Sequence, residues 1–256
     1  MMPIIALHGF TGSAASWASF DGFTALPLLG HDPSVPAVPG DSFDREVDRL
    51  IGVIETIGTP VHLVGYSMGG RLALAITARR PTLVPRLTVI GVNPGLSGHQ
   101  RAARAVTDHR WTALLRTGGI RAFVDAWQAL PIWSSQRALP ASRLVHQRSV
   151  RLTHNPEQLA LALEALGVGT MPPLWNMLDS LRAQVTYVAG TLDSKYVDLS
   201  LRAAMRTASC RVRLIGDAGH NPVIERPQAI HSLCTESQPL PQIQPVGERY
   251  ERNQLD

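Results

Sequence analysis

The sequence predicts an α/β protein in which a mostly parallel central sheet carries helices on both faces and receives a helical cap insertion. Three observations predict it. Short apolar runs alternate with helix-periodic segments over the first 95 residues, and the strand-like runs then stop at Leu96 and resume only after Trp175. The chain has 256 residues, 45% of them hydrophobic, which suits one large core better than two independent folds.

Residues 3–8 form a short apolar run ending at Gly9, and 25–29 a weaker one. Phe43, Val47, Leu50, Ile51, Ile54 and Ile57 recur at helical spacing and predict an amphipathic helix over 43–57. Residues 61–66 read as a buried strand, followed at once by a helix from Met68 to Arg79. Residues 86–92 read as another strand, stopped by Asn93-Pro94-Gly95. Continuous apolar strands separated by helices imply parallel pairing with both sheet faces covered.

Within 96–175 the pattern predicts helices near 99–116, 119–129, 140–149 and 156–166. Gly118-Gly119, Pro131, Pro140 and Pro156 break them. Strands return at 184–189 and 211–215, with a helix near 222–234. The expected organisation is a core of 1–95 and 176–235, a helical cap of 96–175 over the site, and a mobile tail of 236–256. That tail carries Gln, Pro and charge without periodicity.

Composition excludes several classes of protein. No stretch approaches the ~18 apolar residues of a membrane span. The amino terminus has neither a basic segment nor a small-residue cleavage site, which predicts no secretory signal and a cytoplasmic protein. Cys210 and Cys234 make no disulfide framework and lack metal-ligand spacing, so neither a metal nor a cofactor is expected. The net charge is +4, and of the 24 basic residues only Lys195 is lysine. Segment 96–175 holds nine arginines against four acids, a surplus of five, leaving the rest of the chain at −1. Arginine enrichment has a bland source in overall composition, but a local surplus of planar donors suits carboxylate or phosphate recognition. No basic run with interleaved aromatics points to nucleic acid. The expected partner is a small carboxylate-rich molecule, with no nucleic acid and no membrane, and with the protein a monomer or weak homo-oligomer.

Gly65-Tyr66-Ser67-Met68-Gly69 matches Gly-x-Ser-x-Gly between a buried strand and a helix, the context of a nucleophile elbow. The competing reading is a glycine-rich turn with an idle serine, and the partners weigh against it. A serine hydroxyl needs a base at neutral pH, and that base needs an orienting carboxylate. Asp193, after the strand ending near Ala189, and His220, in Gly219-His220-Asn221, follow Ser67 in the chain order this arrangement uses. Both stand at the carboxyl ends of strands, where open α/β sheets place their sites. Asp198 and Asp217 compete for the acid role from less favourable positions. The turn His8-Gly9-Phe10 follows the first strand, so the backbone amides of Phe10 and Met68 are the candidate oxyanion hole. His8 is assigned a structural part in shaping that turn.

Together these motifs resemble the α/β-hydrolase superfamily, over the chain up to about residue 235, although the leading strands of larger members are missing. A narrower resemblance rests on further runs: Gly65-Tyr66-Ser67-Met68-Gly69-Gly70-Arg71, Asn93-Pro94-Gly95-Leu96, Gln100-Arg101-Ala102-Ala103-Arg104, Asp108-His109-Arg110-Trp111, Phe123-Val124-Asp125-Ala126-Trp127, Gln147-Arg148-Ser149 and Asp193-Ser194-Lys195. These resemble the 2-succinyl-6-hydroxy-2,4-cyclohexadiene-1-carboxylate synthases, pyruvate-eliminating lyases of menaquinone biosynthesis. The resemblance implies Ser67, Asp193 and His220 as a catalytic triad, and Tyr66, Arg71, Arg104, Trp127 and Arg148 as substrate-binding. Two departures stand out. Leu28-Leu29-Gly30-His31-Asp32 replaces a Pro-Gly-His-Gly turn, and Ala126 precedes Trp127 where relatives often show two aromatics. Trp127 and Trp133 read equally well as packing between cap helices.

An elimination of pyruvate needs proton abstraction and a hold on developing enolate charge, which a serine made basic by His220 and Asp193 supplies with two amides. An ester, thioester or carbon–carbon bond hydrolase would use the same residues through an acyl-enzyme, and fold alone does not separate the two. A non-catalytic ligand-binding protein would show a broken triad, whereas all three members are present. A dehalogenase-like reading fails because position 67 is Ser rather than Asp.

Overall fold

Strands β1 (Ile4–Leu7), β2 (Phe23–Ala25), β3 (His62–Tyr66), β4 (Arg86–Ile90), β5 (Gln184–Gly190) and β6 (Cys210–Ile215) form one sheet in the order β2-β1-β3-β4-β5-β6. All neighbours are parallel. The computed structural model describes residues 2–236. The tail expected over 236–256 therefore lies, from residue 237 on, outside the described residues.

The strands alternate faces with period two. Ile5, Leu7, Leu63, Leu87, Val89, Val185 and Tyr187 share one core with helices α1 (Phe43–Glu55) and α2 (Met68–Arg79). Ile4, Ala6, Val64, Tyr66, Ile90 and Val188 face the other way, onto Trp17, Phe20, α8 (Pro222–Glu225) and α9 (Pro227–Thr235). Helix α1 begins where the Ser42 side chain accepts from the Arg45 amide, and Asp44 and Glu46 in its first turn suit the helix dipole.

Between β4 and β5 the described chain contains only helices: α3 (Gly98–Gln128), a 3-10 segment (Pro131–Ala138), α4 (Ala141–Leu152), α5 (Pro156–Leu166) and the short α6 (Trp175–Leu178). Gly119, at φ +73° and ψ −179°, breaks α3 where Gly118-Gly119 predicts a boundary. Leu115, Phe123, Val124, Leu159 and Ala160 give these helices a small core of their own, against which Phe10 packs. Arg116 bridges Glu157 at 2.9 Å and Glu164 at 2.6 Å, tying α3 to α5 at the surface.

Several elements differ from expectation. The weak run at 25–29 is not a strand. β2 lies earlier, at Phe23–Ala25, and Leu26, Leu28 and Leu29 plug the core from a loop, where Pro27 has no amide to give a ladder. The helix near 222–234 is two helices, divided at Arg226-Pro227. Helix α7 (Ser194–Ala204), unanticipated, starts at Asp193, whose carboxylate accepts from the Tyr196 amide.

The order reverses between β1 and β3, since the chain builds outward to β2 on one side and to β4, β5 and β6 on the other. Loops leaving the carboxyl ends of β1 and β3 therefore diverge and open a crevice there.

Candidate active site

Ser67 occupies the sharp turn between β3 and α2 with φ +49° and ψ −106°, a conformation rare for any residue but glycine. Its amide donates to the Ile90 carbonyl at 2.8 Å, which anchors the turn to β4. The flanking glycines are required by crowding. A Cβ at Gly65 would lie 2.5 Å from the Gly69 carbonyl oxygen, and one at Gly69 would lie 2.4 Å from that of Leu7.

Ser67 Oγ stands 3.3 Å from His220 Nε2, and His220 Nδ1 stands 2.9 Å from Asp193 Oδ2. With the Nδ1 proton given to Asp193, Nε2 presents its lone pair to the serine hydroxyl. The structure thus joins the three expected residues in one hydrogen-bonded chain across three loops. Neither competing acid is bonded to His220: Asp198 lies on the cavity wall and faces Arg202 at 3.6 Å, and Asp217 is 89% exposed in a turn at φ +51°. The acid and histidine loops are bonded to each other, the Leu192 amide donating to the Ala218 carbonyl at 2.9 Å.

A residue missed in the sequence holds the histidine loop. The buried Glu225 carboxylate accepts from the amides of Gly219 at 2.6 Å and Asn221 at 3.1 Å. The spacing His220…Glu225 was available as a signal, but a charge on a four-residue helix carries no meaning until the loop curls back over it. Tyr196 is a second such residue, its ring centroid 4.2 Å from that of His220.

Phe10 and Met68 border the same cavity as Ser67 and His220, and neither amide donates to another backbone group among the described residues. His8 serves the turn that carries Phe10: its Nδ1 meets the Gly9 carbonyl at 2.9 Å, and burial pushes its pKa down to about 4.

The cavity, about 1200 Å³, lies between the core and the helices of 96–175. Among the described residues six cations line it (Arg71, Arg101, Arg104, Lys195, Arg202 and Arg206) against one acid, Asp198. Arg71 is buried, bonded to the Leu166 carbonyl at 2.9 Å, and desolvation lowers its pKa to about 10. Arg104 gives Nε to Asp108 at 2.6 Å and lines the same cavity. Tyr66 has a buried hydroxyl without a partner among the described residues, and burial raises its pKa far above the usual range. Trp127 packs on Phe10 and Phe123 at 5.5 and 5.4 Å and also lines the cavity, so the two readings of it are compatible.

Arg148 does not join this group. Its guanidinium is held at the surface by Asp125 at 2.6 Å and by Gln128 Oε1 at 2.7 Å, outside the cavity. One turn further along α4, Arg151 is buried, lies 5.2 Å from the Trp133 ring and has no acid partner among the described residues. Desolvation lowers its pKa to about 10. It stands in the wall of an adjoining cavity of about 590 Å³ that shares Phe10, Tyr66 and Trp133 with the first. Helical spacing puts 144, 147/148 and 151 on one side of α4, and only packing decides which arginine turns inward.

Among the described residues no group of three or more His, Cys, Asp or Glu side chains is arranged to hold a metal ion, and no helix is long and apolar enough to cross a membrane. The model of the alpha/beta hydrolase family matches residues 4–233. The chain belongs to the alpha/beta hydrolase family. Within that family it is similar to a Salmonella typhimurium protein named 2-succinyl-6-hydroxy-2,4-cyclohexadiene-1-carboxylate synthase, 34% identical over 236 residues, 89% of this chain and 90% of the relative. A Bacillus subtilis protein given the same name provisionally is 30% identical over 243 residues, covering 91% and 89%. Among solved structures, MenH from S. aureus superposes with a TM-score of 0.87 at 26% identity, covering 91% of each chain. A thermophilic esterase from Thermogutta terrifontis, with malate bound, shares the fold at a TM-score of 0.76 and 22% identity, covering 91% of this chain and 88% of the esterase.

Proposed function

We propose that this alpha/beta hydrolase family member eliminates pyruvate from 2-succinyl-5-enolpyruvyl-6-hydroxy-3-cyclohexene-1-carboxylate, a step of menaquinone biosynthesis. The product, 2-succinyl-6-hydroxy-2,4-cyclohexadiene-1-carboxylate, is the compound for which its curated relatives are named. The observation that carries the reading is the pairing of Ser67 and His220 with a cavity of six cations and one acid, a setting for a substrate with three carboxylates.

Substrate and product differ by the proton at C2, beside the succinyl ketone, and the enolpyruvyl group at C5. Ser67 Oγ takes the C2 proton while passing its own to His220 Nε2, and Asp193 stabilises the imidazolium. The electron pair forms C2=C3, the old C3=C4 pair moves to C4=C5, and the C5–O bond breaks. His220 returns the proton to the departing enolpyruvate, which becomes pyruvate. No water is consumed and no acyl-enzyme forms. Negative charge gathers on the ketone oxygen, where the Phe10 and Met68 amides act as donors. Arg71 and Arg104 bind carboxylates, Tyr66 and Trp127 shape the pocket, and Arg151 adds positive potential from behind Tyr66 and Trp133.

The test is incubation with the enolpyruvyl substrate, following pyruvate by its enzyme-coupled reduction and the diene by its new absorbance. One pyruvate per diene is expected. Absence of pyruvate, together with rapid p-nitrophenyl ester turnover and a stoichiometric burst from Ser67, would replace the lyase with a serine hydrolase.

A further inference from the structure

Thr11 is the third residue of a four-residue turn that the Gly12 amide closes by donating to the Gly9 carbonyl at 3.0 Å. Its φ is +66°. Glycine or asparagine usually takes this position, and a β-branched residue there is strained. The strained residue directly follows Phe10, whose amide is assigned to the developing oxyanion.

Two histidines from distant parts of the chain take up both backbone polar groups of Thr11. Its amide donates to His31 Nε2 at 3.2 Å, and its carbonyl accepts from His154 Nε2 at 3.2 Å. His31 therefore carries its proton on Nδ1, which meets the Leu29 carbonyl at 2.8 Å. The rings of His8, His31 and His154 stack edge to face, with centroids 5.1 and 5.5 Å apart. Thr11, His31 and His154 are all buried, so water does not replace a lost partner. His31 comes from the loop after β2, and His154 from the junction of α4 and α5.

We propose that His31 and His154 are positioning residues. They hold Thr11 in its strained conformation and so keep the Phe10 amide aimed at the reacting oxygen. Because His154 belongs to the inserted helices, it also makes the geometry of the oxyanion site depend on how those helices are seated. The inference rests on the oxyanion role proposed for Phe10. It explains why buried histidines remain in a core that apolar rings would otherwise fill: each supplies one directional bond to a peptide that is costly to leave unpaired.

The test compares His154→Phe, which keeps the ring and removes the donor, with His154→Gln, whose terminal amide reaches the same place. Two rates are read on each protein: pyruvate release, and labelling by a fluorophosphonate. The label reports the oxyanion site without the natural substrate, because Ser67 Oγ bonds to phosphorus as fluoride leaves and the phosphoryl oxygen needs the same amides. A misplaced oxyanion donor weakens transition-state binding, so His154→Phe is expected to slow both labelling and kcat by about tenfold or more, with KM within about twofold. His154→Gln should recover most of both rates, and His31→Phe should behave as His154→Phe. If His154→Phe does not fold, His154→Asn, polar but too short to reach Thr11, supplies the same contrast.

Wild-type rates in folded His154→Phe, or equal losses in the Phe and Gln variants, would overturn the positioning role while leaving the site reading intact. A wild-type protein that neither labels at Ser67 nor releases pyruvate would overturn the site reading itself, and the inference with it.

Discussion

The Gly69 amide donates to the His8 carbonyl at 3.1 Å, which ties the first turn of α2 to the loop leaving β1. That bond holds together the two segments that carry the candidate oxyanion amides, Phe10 and Met68, although 58 positions separate them. Leu7 pairs with Gly65 in the sheet beneath, so the same strands that build the core set the spacing of the site.

Ser67→Ala and His220→Ala are expected to abolish pyruvate release without unfolding the protein. Asp193→Asn should lower kcat by about a thousandfold or more, because an amide favours the wrong imidazole tautomer. Circular dichroism and Tm establish folding in each case. Near-normal turnover in any one of the three would discard this triad.

Gly69→Ala should fail differently. Its Cβ would lie 2.4 Å from the Leu7 carbonyl oxygen and 2.6 Å from that of His8, both backbone atoms with no room to yield. Overpacking of this kind costs about 1–3 kcal/mol, so a lowered Tm should accompany the lost activity. An unchanged Tm would show that the elbow is less crowded than its geometry states.

Removal of one charge-assisted contact costs about 1.5–3 kcal/mol, so Arg104→Ala should reduce kcat/KM by roughly tenfold to a hundredfold. Arg104→Lys should recover part of it, as a point charge lacks the planar fork. Arg151→Gln should also impair turnover. Arg148→Ala, Arg116→Ala and Arg137→Ala should change it little, since the first two side chains are held in surface ion pairs and the third is exposed. Comparable activity across all of these variants would remove the anion-binding role from the cavity.

Acid should destabilise the fold through its buried histidines. Burial lowers the pKa of His8 to about 4 and of His62 to about 3, and lowers those of His31 and His154 as well. The folded protein keeps these rings neutral, whereas the unfolded chain protonates them near pH 6.5, so the unfolded state binds more protons below that value. Stability is therefore complete above about pH 6.5 and is lost as pH falls toward the folded-state values. His8 alone accounts for roughly 3 kcal/mol between pH 6.5 and 4. Denaturant melts at pH 7.5 and 5.0 read this directly, and equal midpoints would show that the histidines are hydrated.

Much of the candidate site was legible because its chemistry is written locally. Ser67 is marked by glycines two residues to either side, and Asp193 and His220 by the apolar strands they follow, so parallel strands bring all three to the carboxyl end of the sheet. The four-residue β1 and the five-residue β3 announce themselves through continuous burial. The three-residue β2, half-buried at the sheet edge, does not, and the stronger apolar run beside it is a loop that fills the core.

The sequence by itself determined the alternation of strand and helix, the elbow serine with its base and acid, and the cationic excess of 96–175. Each follows from residues close in the chain or from a periodicity that secondary structure imposes. Only the tertiary structure decided that Arg151 rather than Arg148 is buried, that Glu225 holds the histidine loop, and that His31 and His154 meet on Thr11. Those pairings close over 20 residues for His31 and 143 for His154. They depend on which face of a helix or loop packs inward, and that is settled by the shape of the whole core rather than by any neighbouring residue.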